Sequence, residues 1–184
     1  MSHTKTELIY LTGLMGSGKS TVAPVLAAAL NFSYVDTDDE IQRHTGKTIS
    51  DIFHHHGEQY FRTLERDILL NICGQEQLVV ALGGGTLTHN ENLHTVTSSG
   101  VLISLKTDVD EIVRRVRMTT DRPLLESKGG GNVNDDELKT RVQELLKLRE
   151  PFYNQADIII NTNNKEVQSI VEEIVSELNK NFAK

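Results

Sequence analysis

Gly13-Leu14-Met15-Gly16-Ser17-Gly18-Lys19-Ser20-Thr21 is the stretch on which the reading of this chain turns. It meets the phosphate-loop spacing G-x-x-x-x-G-K-[S/T] at every position. It also follows the apolar run Leu8-Ile9-Tyr10-Leu11 and precedes a helical pattern. Glycines there let backbone N–H groups turn toward an anion that a Cβ would obstruct. A helix opening near Gly18 points its positive end at the same anion. The motif assigns Gly16, Ser17, Gly18, Lys19, Ser20 and Thr21 to nucleotide binding. Lys19 reaches the β- and γ-phosphates, and the Ser20 hydroxyl ligates Mg2+. The alternative, a plain glycine-rich turn, fits poorly with a complete motif in its strand–loop–helix setting.

Working outward, short apolar runs alternate with helical patterns, which is the signature of a parallel α/β sheet. Strands are predicted near residues 8–12, 33–36, 78–82, 101–105 and 157–161. Helices are predicted near 19–30, 38–44, 49–55, 58–73, 90–98, 108–117, 136–149 and 165–180. In the last of these, Val167, Ile170, Val171, Ile174, Val175 and Leu178 recur at helical spacing and should lie against the sheet. Pro24 falls beyond the first turn of its helix, where its ring removes a backbone hydrogen bond and should bend the axis slightly. The segment from Ser127 to Asp136 reads Ser-Lys-Gly-Gly-Gly-Asn-Val-Asn-Asp-Asp and forms no core element. It is either a surface loop or a lid over a nucleotide.

The chain's 184 residues suit a single domain with a real core. Its net charge of −7 argues against a nucleic-acid-binding surface. Cys73 is the only cysteine, so no disulfide framework exists within one chain, which fits a reducing cytosol. No apolar run approaches the length of a membrane span, and the first residues lack the apolar core of a signal peptide. A cytoplasmic protein is expected. His54-His55-His56 point in different directions from a helix and are read as a solvated run rather than a metal site.

Further constellations narrow the chemistry. Asp36-Thr37-Asp38 closes the second strand, and in an open parallel sheet ligands bind at the carboxyl ends of strands. Asp36 would support Mg2+ through its water shell. Asp38 either accepts a proton from an attacking hydroxyl or caps the following helix; the spacing leaves both open. Arg62 and Glu65 lie three apart on a helix, as a surface ion pair or as an arginine fork held for a substrate carboxylate. Gly83-Gly84-Gly85 ends the run Leu78-Val79-Val80-Ala81 and permits close backbone approach to a ligand. Arg122-Pro123-Leu124-Leu125 follows Arg114, Arg115 and Arg117, cations suited either to a transferred phosphoryl group or to a helix C-terminus. Arg149 precedes Pro151 and Tyr153 and by itself is a charged residue near a helix end.

Taken together these pieces resemble shikimate kinase, from about Leu8 to Thr162. The phosphate loop, Asp36-x-Asp38, Phe61-Arg62-x-x-Glu65, Gly83-Gly84-Gly85, Arg122-Pro123-Leu124-Leu125 and Arg149-x-Pro151-x-Tyr153 occur in the family's order and approximate spacing. The resemblance implies a P-loop NTPase with a five-stranded parallel sheet flanked by helices, similar to the nucleoside monophosphate kinases. It implies one kinase domain over 1–184, with a substrate-binding segment near 37–65 and a lid near 117–136. It also implies ATP-dependent phosphorylation of the 3-hydroxyl of shikimate, a step toward chorismate and the aromatic amino acids. Carried onto this chain, Asp38 resembles the residue that holds the acceptor's hydroxyls and acts as base. Arg62 and Arg149 resemble the clamp on its carboxylate. Gly83, Gly84 and Gly85 supply backbone contacts, and Phe53 and Phe61 line the ring pocket. Arg122 resembles the lid arginine that joins Lys19 in catalysis, and Arg115 an arginine beside the adenine. A monomer with no nucleic-acid or membrane partner is expected of such an enzyme. The chain departs from the pattern in its long glycine-rich loop at 127–136, and in Asn163 and Asn164 where some members carry an adenine-contacting arginine. The rival readings are a related small-molecule kinase such as a gluconate kinase, and a nucleotide-binding switch without phosphotransfer.

Overall fold

The computed structural model describes residues 7–118 and 134–182. Five strands form one parallel sheet: β1 (Leu8–Thr12), β2 (Ser33–Asp36), β3 (Leu78–Ala81), β4 (Val101–Lys106) and β5 (Ile158–Asn161). Their spatial order is β2-β3-β1-β4-β5, so the strand that feeds the phosphate loop is the central one. The register pairs Leu11 with Ala81 on one side and with Ile103 on the other. The carboxyl ends of β1, β2 and β3 therefore open along a single edge.

The inner strands β1, β3 and β4 are buried on two faces, which is why they read as apolar runs, whereas the edge strands β2 and β5 are partly exposed. Ile9 and Leu11 pack on one face with Val22, Leu26 and the inner side of α7 (Val167–Phe182), through Ile170, Val171, Ile174 and Leu178. Leu8 and Tyr10 pack on the other with Ile52, Phe61, Ile68 and Leu69. These last four belong to α3 (Ile49–Ile72). A third cluster joins Leu14 to Ile112 and Val116 of α5 (Val109–Arg117) and to Leu138, Val142 and Tyr153 of α6 (Asp135–Tyr153).

The remaining helices are α1 (Lys19–Leu30), α2 (Thr37–Thr45) and α4 (Asn90–Ser99). Pro24 lies inside α1 without ending it. The helices expected at 49–55 and 58–73 are both present, as two segments of α3 separated at Gly57, whose φ of 78° and ψ of 173° lie outside helical space. One expectation needs correction. The helix expected to stop at Arg149 runs to Tyr153, with Pro151 inside it. Proline forfeits one backbone hydrogen bond in that last turn, and the burial of Tyr153 against the third cluster holds the turn in place. His54, His55 and His56 are exposed, and no group of three metal-ligating side chains occurs among the described residues. No helix among the described residues is long and apolar enough to cross a membrane.

Candidate active site

The phosphate loop is shaped by glycines that no other residue could replace without strain. Gly13 and Gly18 have φ of 141° and 100°. A Cβ on Gly13 would lie 2.6 Å from the Leu105 carbonyl oxygen of the neighbouring strand. Gly18 caps α1, leaving the first N–H groups of that helix directed into the loop. Lys19 folds back over the loop, and its Nζ donates to the carbonyls of Gly13 at 2.8 Å and Leu14 at 3.2 Å. Arg115, on α5, donates to the Gly16 carbonyl at 3.2 Å and to the Thr162 carbonyl at 3.1 Å. It thereby ties the loop to the turn after β5. In that turn the Asn163 side-chain oxygen accepts from the Asp108 N–H at 2.9 Å.

The ends of β1 and β2 meet through side chains. The Ser20 hydroxyl donates to Oδ2 of Asp36 at 2.7 Å, while Oδ1 of Asp36 accepts from the Asp38 N–H at 3.0 Å. Asp36 is thus the N-cap of α2. Of the two roles that the spacing left open for Asp38, its carboxylate does not take that of the cap. Burial, the Asp36 charge and, more weakly, Glu65 push the Asp38 carboxyl up to about 6, against the opposing pull of Lys19.

Four charged groups crowd the run of three glycines at the end of β3. A Cβ on Gly83 would lie 2.8 Å from Oδ1 of Asp38 and 3.2 Å from Oε1 of Glu65. One on Gly84 would lie 3.2 Å from Nη1 of Arg149, and one on Gly85 would lie 3.0 Å from Nη2 of Arg62 and 3.5 Å from Nη2 of Arg149. Two guanidinium groups from distant helices therefore converge on one peptide. The pair that Arg62 forms with Glu65 is not a surface ion pair. Glu65 is 1% exposed, accepts from Arg62 Nη1 at 2.9 Å, and takes the Thr86 hydroxyl on its other oxygen at 2.5 Å. The Asn92 side-chain amide in turn donates to the Thr86 carbonyl at 3.1 Å. Glu58 adds a second, exposed carboxylate to Arg62 at 3.1 Å.

The aromatic pair behaves unequally. Phe53 and Phe61 stack with centroids 4.8 Å apart. Phe61, 5% exposed, belongs to the core, whereas Phe53, 38% exposed, offers its ring outward. Arg122 and most of the segment expected as a lid lie outside the described residues. A cavity of about 130 Å³ behind the phosphate loop, lined by Leu14, Ser17, Ile112 and Tyr153, is separate from the cleft between the guanidinium groups.

Sequence reasoning left Thr37 and Thr86 without roles. Thr37 Oγ1 accepts from the Gly83 N–H at 2.9 Å and donates to the Ala81 carbonyl at 3.3 Å, which pins the start of the glycine run. Both are single threonines whose partners lie 21 to 46 residues away, so no local pattern marks them.

A phosphate loop at the central strand, with carboxylates, glycine backbone and paired arginines along the same edge, defines a P-loop phosphotransferase acting on a small anionic acceptor. The sequence model of the family described as shikimate kinase matches residues 15–179, and the chain belongs to that family. A shikimate kinase of Chlorobium phaeobacteroides is 42% identical over 95% of this chain and 92% of its own length. The structure of an Acinetobacter baumannii shikimate kinase in complex with shikimate superposes with a TM-score of 0.88 at 34% identity, covering 98% of this chain and 97% of that one. A gluconokinase from Sinorhizobium meliloti shares the fold alone, with a TM-score of 0.60 at 16% identity over 98% of this chain and 95% of the other. The chain is a kinase of the shikimate pathway, and ATP is its phosphoryl donor.

Proposed function

We propose that the chain transfers the γ-phosphoryl group of ATP to the 3-hydroxyl of shikimate, with the acceptor seated between Arg62, Arg149, Asp38 and the Gly83–Gly85 backbone. The observation that carries this reading is the convergence of both guanidinium groups on Gly84–Gly85. A carboxylate placed there meets two planar forks, each a charge-assisted contact worth about 1.5–3 kcal/mol. Asp38 stands beside the same glycine run, within reach of a ring hydroxyl.

In the step itself the hydroxyl oxygen bonds to the γ-phosphorus, the bond from phosphorus to the ADP oxygen breaks, and the hydroxyl proton passes to the Asp38 carboxylate. With its carboxyl near 6, Asp38 is mostly ionised at neutral pH yet basic enough to take that proton. Lys19 leaves its loop carbonyls to meet the phosphates, and Arg122 adds positive charge from the segment near 117–136 that we read as a lid. Residues 37–65 form the acceptor-binding segment, and Phe53 offers its ring to the acceptor. Arg115 reaches the adenine side of the nucleotide.

Mg2+ fits the paired oxygens of Ser20 and Asp36, hard donors 2.7 Å apart at the mouth of the phosphate loop. When bound, it neutralises charge on the transferring phosphates. We place the enzyme in the cytoplasm as a monomer, consistent with its lone cysteine, and sedimentation of the purified chain checks the second point.

The deciding experiment is a coupled assay of ADP release with shikimate, with gluconate and with no acceptor. Turnover that needs shikimate is expected. Turnover with gluconate, or without any acceptor, overturns the reading.

A further inference from the structure

Tyr153 is the last residue of α6, one helical turn beyond Arg149. It is 6% exposed and its ring packs among Leu14, Ile112 and Leu138. A ring placed only for packing has no need of a hydroxyl there, yet the Tyr153 hydroxyl donates to the Gly84 carbonyl oxygen at 2.7 Å. Arg149 flanks the same peptide, its Nη1 3.2 Å from where a Cβ on Gly84 would stand, and its positive charge acts on the phenol against the upward push of burial.

The peptide that Tyr153 grips is the one on which Arg62 and Arg149 converge. In a trans peptide the C=O and the following N–H point in opposite directions, so holding the Gly84 carbonyl turns the Gly85 N–H away from Tyr153. That N–H donates to no acceptor among the described residues. Glycine has no Cβ to restrain its backbone, and two in succession leave this peptide free to rotate unless something holds it. Thr37 pins Gly83 and Tyr153 pins Gly84; the free N–H of Gly85 comes next.

We propose that Tyr153 is a positioning residue for acceptor recognition: its hydroxyl holds the Gly84 carbonyl beside the two guanidinium groups and fixes the direction in which the Gly85 N–H meets the acceptor's carboxylate. This rests on the acceptor reading given above. The residue touches no substrate itself and acts through the peptide.

The test compares wild type, Tyr153→Phe and Leu138→Ala with shikimate and ATP varied separately. Phenylalanine keeps the ring in its apolar cluster and removes only the hydroxyl. Tyr153→Phe is expected to raise the shikimate KM about five- to tenfold, the scale of one lost hydrogen bond, with the ATP KM and Tm near wild type. Leu138→Ala, which loosens the same cluster, is expected to lower Tm without a shikimate-selective change in KM. In amide spectra, shikimate should shift the Gly85 N–H strongly in wild type and weakly in Tyr153→Phe. An unchanged shikimate KM in Tyr153→Phe, or equal rises for both substrates, overturns the positioning role. Absence of shikimate turnover in wild type would instead overturn the acceptor reading.

Discussion

The Ser20 hydroxyl and the Asp36 carboxylate meet at 2.7 Å across 16 residues of sequence, joining the phosphate loop to the end of a strand two places away in the sheet. Asp36 uses its other oxygen to cap α2, so one side chain serves a candidate metal site and a helix terminus at once. Asparagine keeps the capping oxygen and removes the charge. Asp36→Asn is therefore expected to unfold within about 0.5 kcal/mol of wild type while needing a several-fold higher Mg2+ concentration for half-maximal turnover. Asp36→Ala should lose about 1 kcal/mol as well. Urea titrations and Mg2+ titrations of activity separate the two effects.

In the proposed mechanism Asp38 links activity to pH. Its carboxyl is raised from 3.8 to about 6, so between those values the folded protein holds a proton that the unfolded chain has released. Its contribution to stability is complete below 3.8 and is lost as pH rises through about 6. In the proposed reaction the ionised form is the base, so activity should run the other way. The shikimate kcat/KM should fall on the acid side with an apparent pKa near 6. Asp38→Asn should remove that limb, lower kcat by at least about a hundredfold, and raise stability at pH 8 by about 1–2 kcal/mol. A Tm at pH 8 no higher than wild type would contradict the burial argument.

Arg62 and Arg149, the proposed clamp on the acceptor's carboxylate, should differ in what their loss costs. Arg62 shields a carboxylate that is 1% exposed, and its removal leaves that buried charge with only the Thr86 hydroxyl. Arg62→Ala is expected to cost about 2–4 kcal/mol of stability, whereas Arg149→Ala should cost less than about 1 kcal/mol. Both should raise the shikimate KM about ten- to a hundredfold with the ATP KM little changed. Chemical denaturation beside steady-state kinetics tests the contrast.

The phosphate-loop glycines separate close approach from backbone strain. At Gly18 an added Cβ meets nothing nearer than 3.9 Å, so Gly18→Ala should cost only the left-handed backbone penalty of about 1–2 kcal/mol. At Gly13 the Cβ would strike a strand carbonyl at 2.6 Å, and neither partner can yield. Gly13→Ala should give little folded protein. Thermal melts of the purified variants show the difference.

The sequence by itself determined what is local. The phosphate loop needs glycines, a lysine and a serine at consecutive spacings, and that pattern survives no other reading. Apolar runs alternating with helical periodicity likewise made a parallel sheet legible, and all five strands lie within a residue of their expected bounds. Tertiary structure alone decided what depends on burial and on distant neighbours. Whether Asp36 or Asp38 caps α2, and whether Glu65 is exposed or buried behind Arg62, follow from how helices seat on the sheet. The spacing of those residues is the same in either case. The last turn of α6 was hidden by Pro151, a helix breaker by local rule that the packing of Tyr153 overrides. Thr37, Thr86 and Tyr153 act through single hydrogen bonds that close over long stretches of chain, and such bonds leave no periodic trace in a sequence.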